Sequence, residues 1–139
     1  MGRSSIALFA LAALAACGDN PAGPTVPTGQ EFQLRPGKSV AVEGTGLSLR
    51  FDLVASDSRC PANAICVTLG DAEAIFTISE AARPATSVTL HTRPGEGQRA
   101  TVSGWSLTLT RLDPHPYAGT RISPDDYRAS LRVDPATGS

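Results

Sequence analysis

The chain has 139 residues with 12 basic and 13 acidic side chains, which is room for one domain and excludes a nucleic-acid-binding surface built on excess positive charge. Aromatic residues make up only 5% of the chain, whereas 13 glycines and 11 prolines punctuate it. This composition favours short strands and turns over helices.

The first sixteen residues have the pattern of an export signal. Arg3 precedes an apolar run from Ile6 to Ala16, which at ~1.5 Å per residue spans about half of the ~30 Å hydrocarbon core of a membrane. The run is too short for a transmembrane helix, so we predict a cleaved signal peptide over residues 1–16. Arg3 is the only charged residue before Cys17, and the rest of the chain therefore carries a net charge of −2.

The signal segment ends in Leu14-Ala15-Ala16-Cys17, which resembles the lipobox of bacterial lipoproteins. The resemblance implies that Cys17 receives a diacylglycerol on its sulfur and an acyl chain, such as palmitate, on its new amino group. Gly18 at the next position implies sorting to the outer membrane, facing the periplasm. The alternative is an ordinary signal peptide with Ala-x-Ala-like cleavage, and both interpretations export the protein.

Composition divides the rest of the chain into three parts. Residues 17–30 hold three prolines and three glycines without paired apolar residues, which predicts a flexible tether behind the lipidated cysteine. Residues 31–134 form the predicted β-domain, and residues 135–139 are expected to be a disordered tail.

Alternation of apolar and polar residues predicts about eight short strands in the β-domain. The strongest runs from Leu47 to Ala55, and the Gly-rich turn before it predicts a hairpin. Because each strand has one apolar and one polar face, we expect an all-β fold, a small antiparallel β-sandwich or alternatively a small β-barrel. The apolar positions that alternate are Phe32, Leu34, Val40, Val42, Leu47, Leu49, Phe51, Leu53, Ile65, Val67, Leu69, Ala74, Phe76, Ile78, Val88, Leu90, Val102, Trp105, Leu107, Leu109, Tyr127, Ala129, Leu131 and Val133.

Two cysteines lie in the least generic stretch, Asp57-Ser58-Arg59-Cys60-Pro61-Ala62-Asn63-Ala64-Ile65-Cys66. With Cys17 assigned to lipid, Cys60 and Cys66 remain as a pair, and an oxidising compartment predicts a disulfide between them. Closing a loop of this size contributes roughly 2–2.5 kcal/mol. Free thiols and a metal site are the alternatives, but a metal site needs closer spacing and a second pair of ligands.

The same stretch resembles a motif of small exported bacterial proteins with no established activity. The matching residues are Asp57, Ser58, Arg59, Cys60, Pro61, Cys66, Gly70 and Ala72, followed by Leu112, Pro114 and Pro116 in a late Leu-x-Pro-x-Pro segment. The family pattern has Trp two residues after the second cysteine, where this chain has Thr68. The resemblance therefore implies the fold and the location but no chemistry.

Asp57 and Arg59 flank the predicted disulfide and allow two interpretations. In the first, the constrained loop displays Arg59 to a partner, as protease inhibitors display a residue, because rigidity before binding lowers the ordering cost. In the second, Asp57 caps the turn and pairs with Arg59. Tyr117, which follows Pro116, is the candidate exposed aromatic side chain, and Trp105 is expected to anchor the core against the disulfide.

Candidate catalytic groups are sparse. His91 and His115 are the only histidines, and both are expected at the surface, without the Gly-x-Ser-x-Gly elbow of a hydrolase. The segment Gly95–Ala100 matches Gly-x-Gly-x-x-Ala, but no helix is predicted after it, as a dinucleotide site requires. We therefore expect no catalytic residues, no cofactor and no metal.

The sequence predicts a non-catalytic binding or structural module of the cell envelope, held in the membrane by lipid on Cys17. An envelope protein is the candidate partner, and nucleic acid is not one. The alternatives are a carrier of a small ligand or metal, and a protease inhibitor that presents the Cys60–Cys66 loop.

Overall fold

The computed structural model describes residues 23–138, and the predicted signal peptide and Cys17 lie outside the described residues. Within this range the chain forms strands and only two short 3-10 turns, Glu96–Gln98 and Pro124–Asp126. The strands are β1 (Thr25–Val26), β2 (Phe32–Leu34), β3 (Ser39–Val42), β4 (Leu47–Asp57), β5 (Ala72–Glu80), β6 (Thr86–His91), β7 (Arg99–Val102), β8 (Trp105–Asp113) and β9 (Arg128–Pro135).

The strands build two sheets, which confirms the predicted all-β, sandwich-like fold. One sheet has the order β1-β3-β4-β5-β6 and the other has the order β2-β9-β8-β7. Every pairing is antiparallel except that of β1 with β3, which is parallel. The last strand, β9, lies between β2 and β8, so the second sheet is complete only when the end of the domain has folded.

The core lies between the sheets and follows the predicted alternation. Phe51 of β4 and Phe76 of β5 are fully buried, and their rings stack with centroids 4.8 Å apart. Along β5 the buried residues alternate with partly exposed ones, as a strand with one face on the core requires. The buried apolar side chains are Leu34, Val40, Val42, Leu47, Leu49, Phe51, Ala72, Ala74, Phe76, Ile78, Leu90, Leu107, Leu109, Leu112, Tyr127, Ala129, Leu131 and Val133.

The two ends of the sandwich differ. At one end β4 leads into β5 through residues 58–71, and β8 leads into β9 through residues 114–127; we call this the disulfide end. At the opposite end, the hairpin end, β3 turns into β4. Trp105 packs against the core there, beside Val42 and Leu47. The expectation that Trp105 packs on the disulfide is wrong, because Trp105 begins β8 whereas the Cys60–Cys66 loop lies beyond the other end of that strand.

The folded part of the chain extends beyond the predicted domain boundaries on both sides. Thr25 and Val26 pair with Ala41 and Val42, and the Val26 side chain packs against the core. The tether prediction is thus wrong for this segment, because one apolar residue and a free edge of β3 suffice to bind it. Beyond residue 134, Pro135 belongs to β9 and the Ala136 N–H donates to the Gly104 carbonyl at 2.8 Å.

A second correction concerns the stretch after the disulfide. Alternation of Ile65, Val67 and Leu69 suggests a strand that points these side chains one way, but the described structure has no strand between β4 and β5. Pro61 and the tight cysteine loop take this stretch out of the ladder. All three side chains remain exposed to solvent.

At Gly70 the end of the loop between β4 and β5 passes very close to its beginning at Ser58 and Arg59. The φ of Gly70 is 67°, and a Cβ added there would overlap the Ser58 carbonyl oxygen and lie 2.9 Å from Arg59 Cα. We expect Gly70→Ala to lower the free energy of unfolding by at least ~1 kcal/mol more than Gly37→Ala does. Gly37 is the matched control, since its φ is 78° and nothing lies near its added Cβ. Equal losses in urea denaturation would show that the close approach at Ser58 is absent.

Candidate functional site

The Cys60–Cys66 loop is the tip of a hairpin that continues β4 and β5. The Ser58 N–H donates to the Asp71 carbonyl at 2.6 Å, and the Cys60 N–H donates to the Leu69 carbonyl at 3.0 Å. Cys60 and Cys66 are joined by a disulfide with their Cα atoms 5.9 Å apart, which confirms the predicted pairing. The bond closes the tip directly beyond the last ladder hydrogen bond.

Arg59 fixes the base of this hairpin to the other sheet. Its Nε and Nη2 donate to the two carboxylate oxygens of Asp57 at 2.8 and 2.6 Å, a bidentate pair. Its Nη1 donates to the Leu112 carbonyl at 2.6 Å and its Nη2 also donates to the Pro114 carbonyl at 3.0 Å. A single guanidinium therefore joins the end of β4 to the end of β8.

The arginine is buried, with 8% of its surface exposed. The interpretation in which the loop displays Arg59 to a partner is therefore contradicted, and the protease-inhibitor alternative loses its presented residue. The second interpretation, in which Asp57 caps the turn and pairs with Arg59, is confirmed, because Asp57 also accepts the Arg59 N–H at 3.3 Å.

Tyr127, which directly precedes β9, also contacts the Asp57–Arg59 pair. Its hydroxyl donates to Asp57 at 3.0 Å. Burial raises the pKa of the Asp57 carboxyl, but the hydrogen bonds and charge of Arg59 lower it by more, so the pKa of Asp57 lies below its ordinary value. Burial, followed by the hydrogen bond to Asp57, raises the pKa of Tyr127 to about 12.

A second set of hydrogen bonds ties the tip to the segment after β8. The Ala62 N–H donates to the Pro116 carbonyl at 2.9 Å, and His115 Nε2 lies 2.9 Å from the Cys60 carbonyl. The Asn63 side chain accepts the Ala118 N–H at 2.7 Å. The Asp-Ser-Arg-Cys-Pro stretch and the Leu-x-Pro-x-Pro segment, more than fifty residues apart in the chain, thus form one surface.

Apolar side chains project from that surface into solvent. Ile65 and Val67 have relative exposures of 104% and 105%, which is the exposure of an extended chain, and Leu69 follows at 74%. Tyr117 is 56% exposed on the adjoining segment, where sequence analysis expects an exposed aromatic side chain. We call Ile65, Val67 and Leu69 the apolar tip.

Asp71 and His91 form a polar pair on the other flank of the hairpin. His91 Nδ1 lies 2.5 Å from one Asp71 carboxylate oxygen, and the second oxygen accepts the N–H groups of Thr92 and Arg93 at 3.0 and 2.9 Å. Burial raises the pKa of Asp71, but these hydrogen bonds, that of His91 first, lower it by more. His91 is half-buried, although sequence analysis expects it at the surface. The Asp71 side chain connects the end of the hairpin loop to the residues that follow β6.

A nucleophilic unit needs a hydroxyl or thiol on the second nitrogen of such a histidine. Among residues 23–138, the hydrogen bonds of His91 include no Ser, Thr or Cys partner. The described residues also contain no group of three or more His, Cys, Asp and Glu side chains arranged to hold a metal. The contacts of the Asp71–His91 pair with the Thr92 and Arg93 backbone are sufficient to explain it as a structural feature.

An open groove of about 360 Å³ lies between the hairpin and the ends of β6 and β8. Leu69 and Leu109 contribute apolar walls, and Arg93, Arg111 and His115 contribute polar ones. Arg111 is paired with Asp113 at 2.7 Å. The groove is thus a mainly apolar cleft with charged groups along its sides, and it adjoins the apolar tip at Leu69.

The structure brings two of the three predicted binding residues, Asp57 and Arg59, into one buried contact and leaves Tyr117 exposed beside it. Cys17 lies outside the described residues. No helix among the described residues is long and apolar enough to cross a membrane. Sequence analysis did not identify Tyr127 as part of this site, because in the sequence it is only one more apolar position of the last strand.

The chain matches no protein family, curated protein or solved structure with which it was compared.

The Tyr127 hydroxyl gives a direct measurement of the buried group. In a Tyr117→Phe variant, which leaves Tyr127 as the only tyrosine, we expect tyrosinate absorbance to appear with a midpoint near pH 12. Asp57→Asn in the same background is expected to lower that midpoint, because the charged acceptor is lost while burial remains.

The raised pKa of Tyr127 makes the folded protein less stable at high pH. An unfolded chain ionises tyrosine near pH 10, whereas the folded chain keeps Tyr127 protonated to about 12. Stability from this group is thus present below pH ~10 and is lost as the pH rises from there through the folded value. A Tyr127 midpoint near pH 10 in the folded protein would contradict the burial of its hydroxyl against Asp57.

Proposed function

We propose that this chain is an exported, lipid-anchored binding or structural module of the cell envelope that acts through its disulfide end. The observation that supports this proposal best is the combination at that end of a rigid framework and unburied apolar side chains. The framework consists of the disulfide and the Arg59 contacts, and the side chains are those of the apolar tip. An ordered loop that keeps apolar side chains in water is typical of a binding surface.

Export is supported by the compartment that the disulfide requires. Disulfides form and persist outside the cytoplasm, where thiols are not kept reduced. The pair closes a loop of the folded domain, so it is part of the native structure. Together with the signal segment, this favours an oxidising compartment of the envelope.

Lipid anchoring is supported by the sequence Leu14-Ala15-Ala16-Cys17. Acyl chains bind a bilayer in proportion to the CH₂ groups they bury, and more than one chain is needed for stable anchoring. Acylation of both the sulfur and the amino group of Cys17 would meet that requirement.

A second candidate function, carriage of a small ligand, is favoured by the groove of about 360 Å³ beside Leu69. Its lining is mostly apolar with Arg93, Arg111 and His115 as polar groups, which suits a small ligand with an apolar body and one polar end. A ligand retained by the natively purified protein in native mass spectrometry would favour this candidate.

The anchoring is tested by Cys17→Ser in the full chain, expressed in a bacterium that processes lipoproteins. We expect the unaltered chain to be in the membrane fraction, with a diacylglycerol on Cys17 and cleavage before it in mass spectrometry. We expect the variant to lose the lipid and the processing. If the unaltered chain instead carries an unmodified Cys17, or is found in the soluble periplasmic fraction, the proposal is contradicted and an ordinary signal peptide is favoured.

A further inference from the structure

We infer that the groove of about 360 Å³ at the disulfide end binds an aliphatic carboxylate, with its hydrocarbon chain against Leu69 and its carboxylate at Arg93. This inference rests on the second candidate function proposed above, carriage of a small ligand, and deepens it. It adds the chemical class of the ligand, its orientation in the groove and the side chains that hold each of its ends.

The apolar part of the groove is aliphatic. Leu109 and Leu112 line it from the buried core, and Leu69, which is 74% exposed, lines it from the hairpin. No Phe, Tyr or Trp of the described residues lines the groove, so a flat aromatic ligand would have none of these rings to stack on. A hydrocarbon chain needs only apolar surface that can be removed from water, and the exposed side chain of Leu69 offers it.

The charges that line the groove suit one negative charge on the ligand. Arg59 is paired with Asp57 at 2.6 Å, and Arg111 is paired with Asp113 at 2.7 Å. The third arginine differs, because the Arg93 guanidinium forms no hydrogen bond or ion pair with any residue that the structure describes. A carboxylate carries a single negative charge and accepts two parallel hydrogen bonds from a guanidinium, so it matches Arg93 in both charge and geometry.

Hydrogen bonds fix the backbone at both ends of this ligand position. The Cys60 N–H donates to the Leu69 carbonyl at 3.0 Å, and the Arg93 N–H donates to the Asp71 carboxylate at 2.9 Å. Leu69 and Asp71 belong to the same leg of the hairpin, separated only by Gly70, which also lines the groove. The apolar contact and the cation are therefore held on one rigid element, which lowers the entropy cost of binding.

The test uses octanoic acid that carries a photoreactive diazirine on its chain, added to membranes that hold the full chain. After illumination, mass spectrometry maps the adducts to peptides. We expect adducts on the peptides that contain residues 69–70 and 109–113, and we expect excess octanoate to remove them. A probe with the same chain that ends in a hydroxyl should give about fivefold fewer adducts at a concentration well below saturation, because it lacks the charge that pairs with Arg93.

Matched variants assign the two contacts. Arg93→Gln and Leu69→Ser should each lower the yield of adducts from the carboxylate probe about fivefold, through loss of the ion pair and of the apolar contact. Arg121→Gln and Val67→Ser are the controls and should leave the yield unchanged, since both side chains are exposed at the same end but do not line the groove. Arg93 and Leu69 are exposed as well, so none of the four variants should change the melting temperature.

The outcomes separate this inference from the functions proposed above. Equal labelling by the carboxylate and hydroxyl probes, or undiminished labelling of Arg93→Gln, would overturn the carboxylate and leave carriage of a small ligand standing. Equal losses in Val67→Ser and Leu69→Ser would overturn the groove as the site and favour the apolar tip. No groove adduct from either probe would overturn the inference as a whole. The mass of the Cys17 peptide in the same sample reports separately on the lipid anchor.

Discussion

The arrangement of the disulfide end depends on the ion pair between Asp57 and Arg59. These residues are two positions apart, yet the pair connects both sheets, because the guanidinium also binds the Leu112 and Pro114 carbonyls and the carboxylate also binds Tyr127. With both side chains about nine-tenths buried, removal of either partner would leave an unpaired charge in the interior, a cost of roughly 3–5 kcal/mol in other proteins. The pair fixes where the hairpin leaves the sandwich.

The Cys60–Cys66 disulfide and the Asp57–Arg59 ion pair have different structural roles. The Cys60–Cys66 bond limits the freedom of the tip, whereas Arg59, Ala62 and Asn63 determine where the tip lies relative to the segment after β8. A loop held in this way keeps Ile65 and Val67 in solvent without the support of a strand. Ordering the loop in advance lowers the entropy cost that binding at the apolar tip would have to offset.

Much of this structure follows from local sequence patterns. Alternation along Leu47–Phe51 and Ala74–Ile78 identifies the central strands, because one face of each must be buried, and the count of cysteines identifies the disulfide. The capping of a turn by Asp57 is also a local property, since Arg59 is only two positions further along the chain. These features need no knowledge of distant parts of the chain.

The remaining features depend on contacts that a local pattern does not contain. Tyr127 meets Asp57 across seventy positions of sequence, and nothing near Tyr127 distinguishes it from an ordinary core residue. Ile65, Val67 and Leu69 alternate as a strand does, but backbone pairing across the hairpin stops at the hydrogen bond from Cys60 to Leu69, so no strand forms over these residues. Val26 binds the edge of β3 although its Pro- and Gly-rich surroundings predict a tether.

The central claim is that the Asp57–Arg59 pair holds the tip against the segment after β8. It is tested most directly by amide hydrogen exchange at Ala62 and Ala118, whose N–H groups bind the Pro116 carbonyl and the Asn63 side chain. In the unaltered protein both amides should be protected, and Asp57→Asn should remove the protection of both while the amides between β8 and β9 stay protected. Unchanged protection of Ala62 and Ala118 in the variant would contradict the account, because the tip would then be held without the pair.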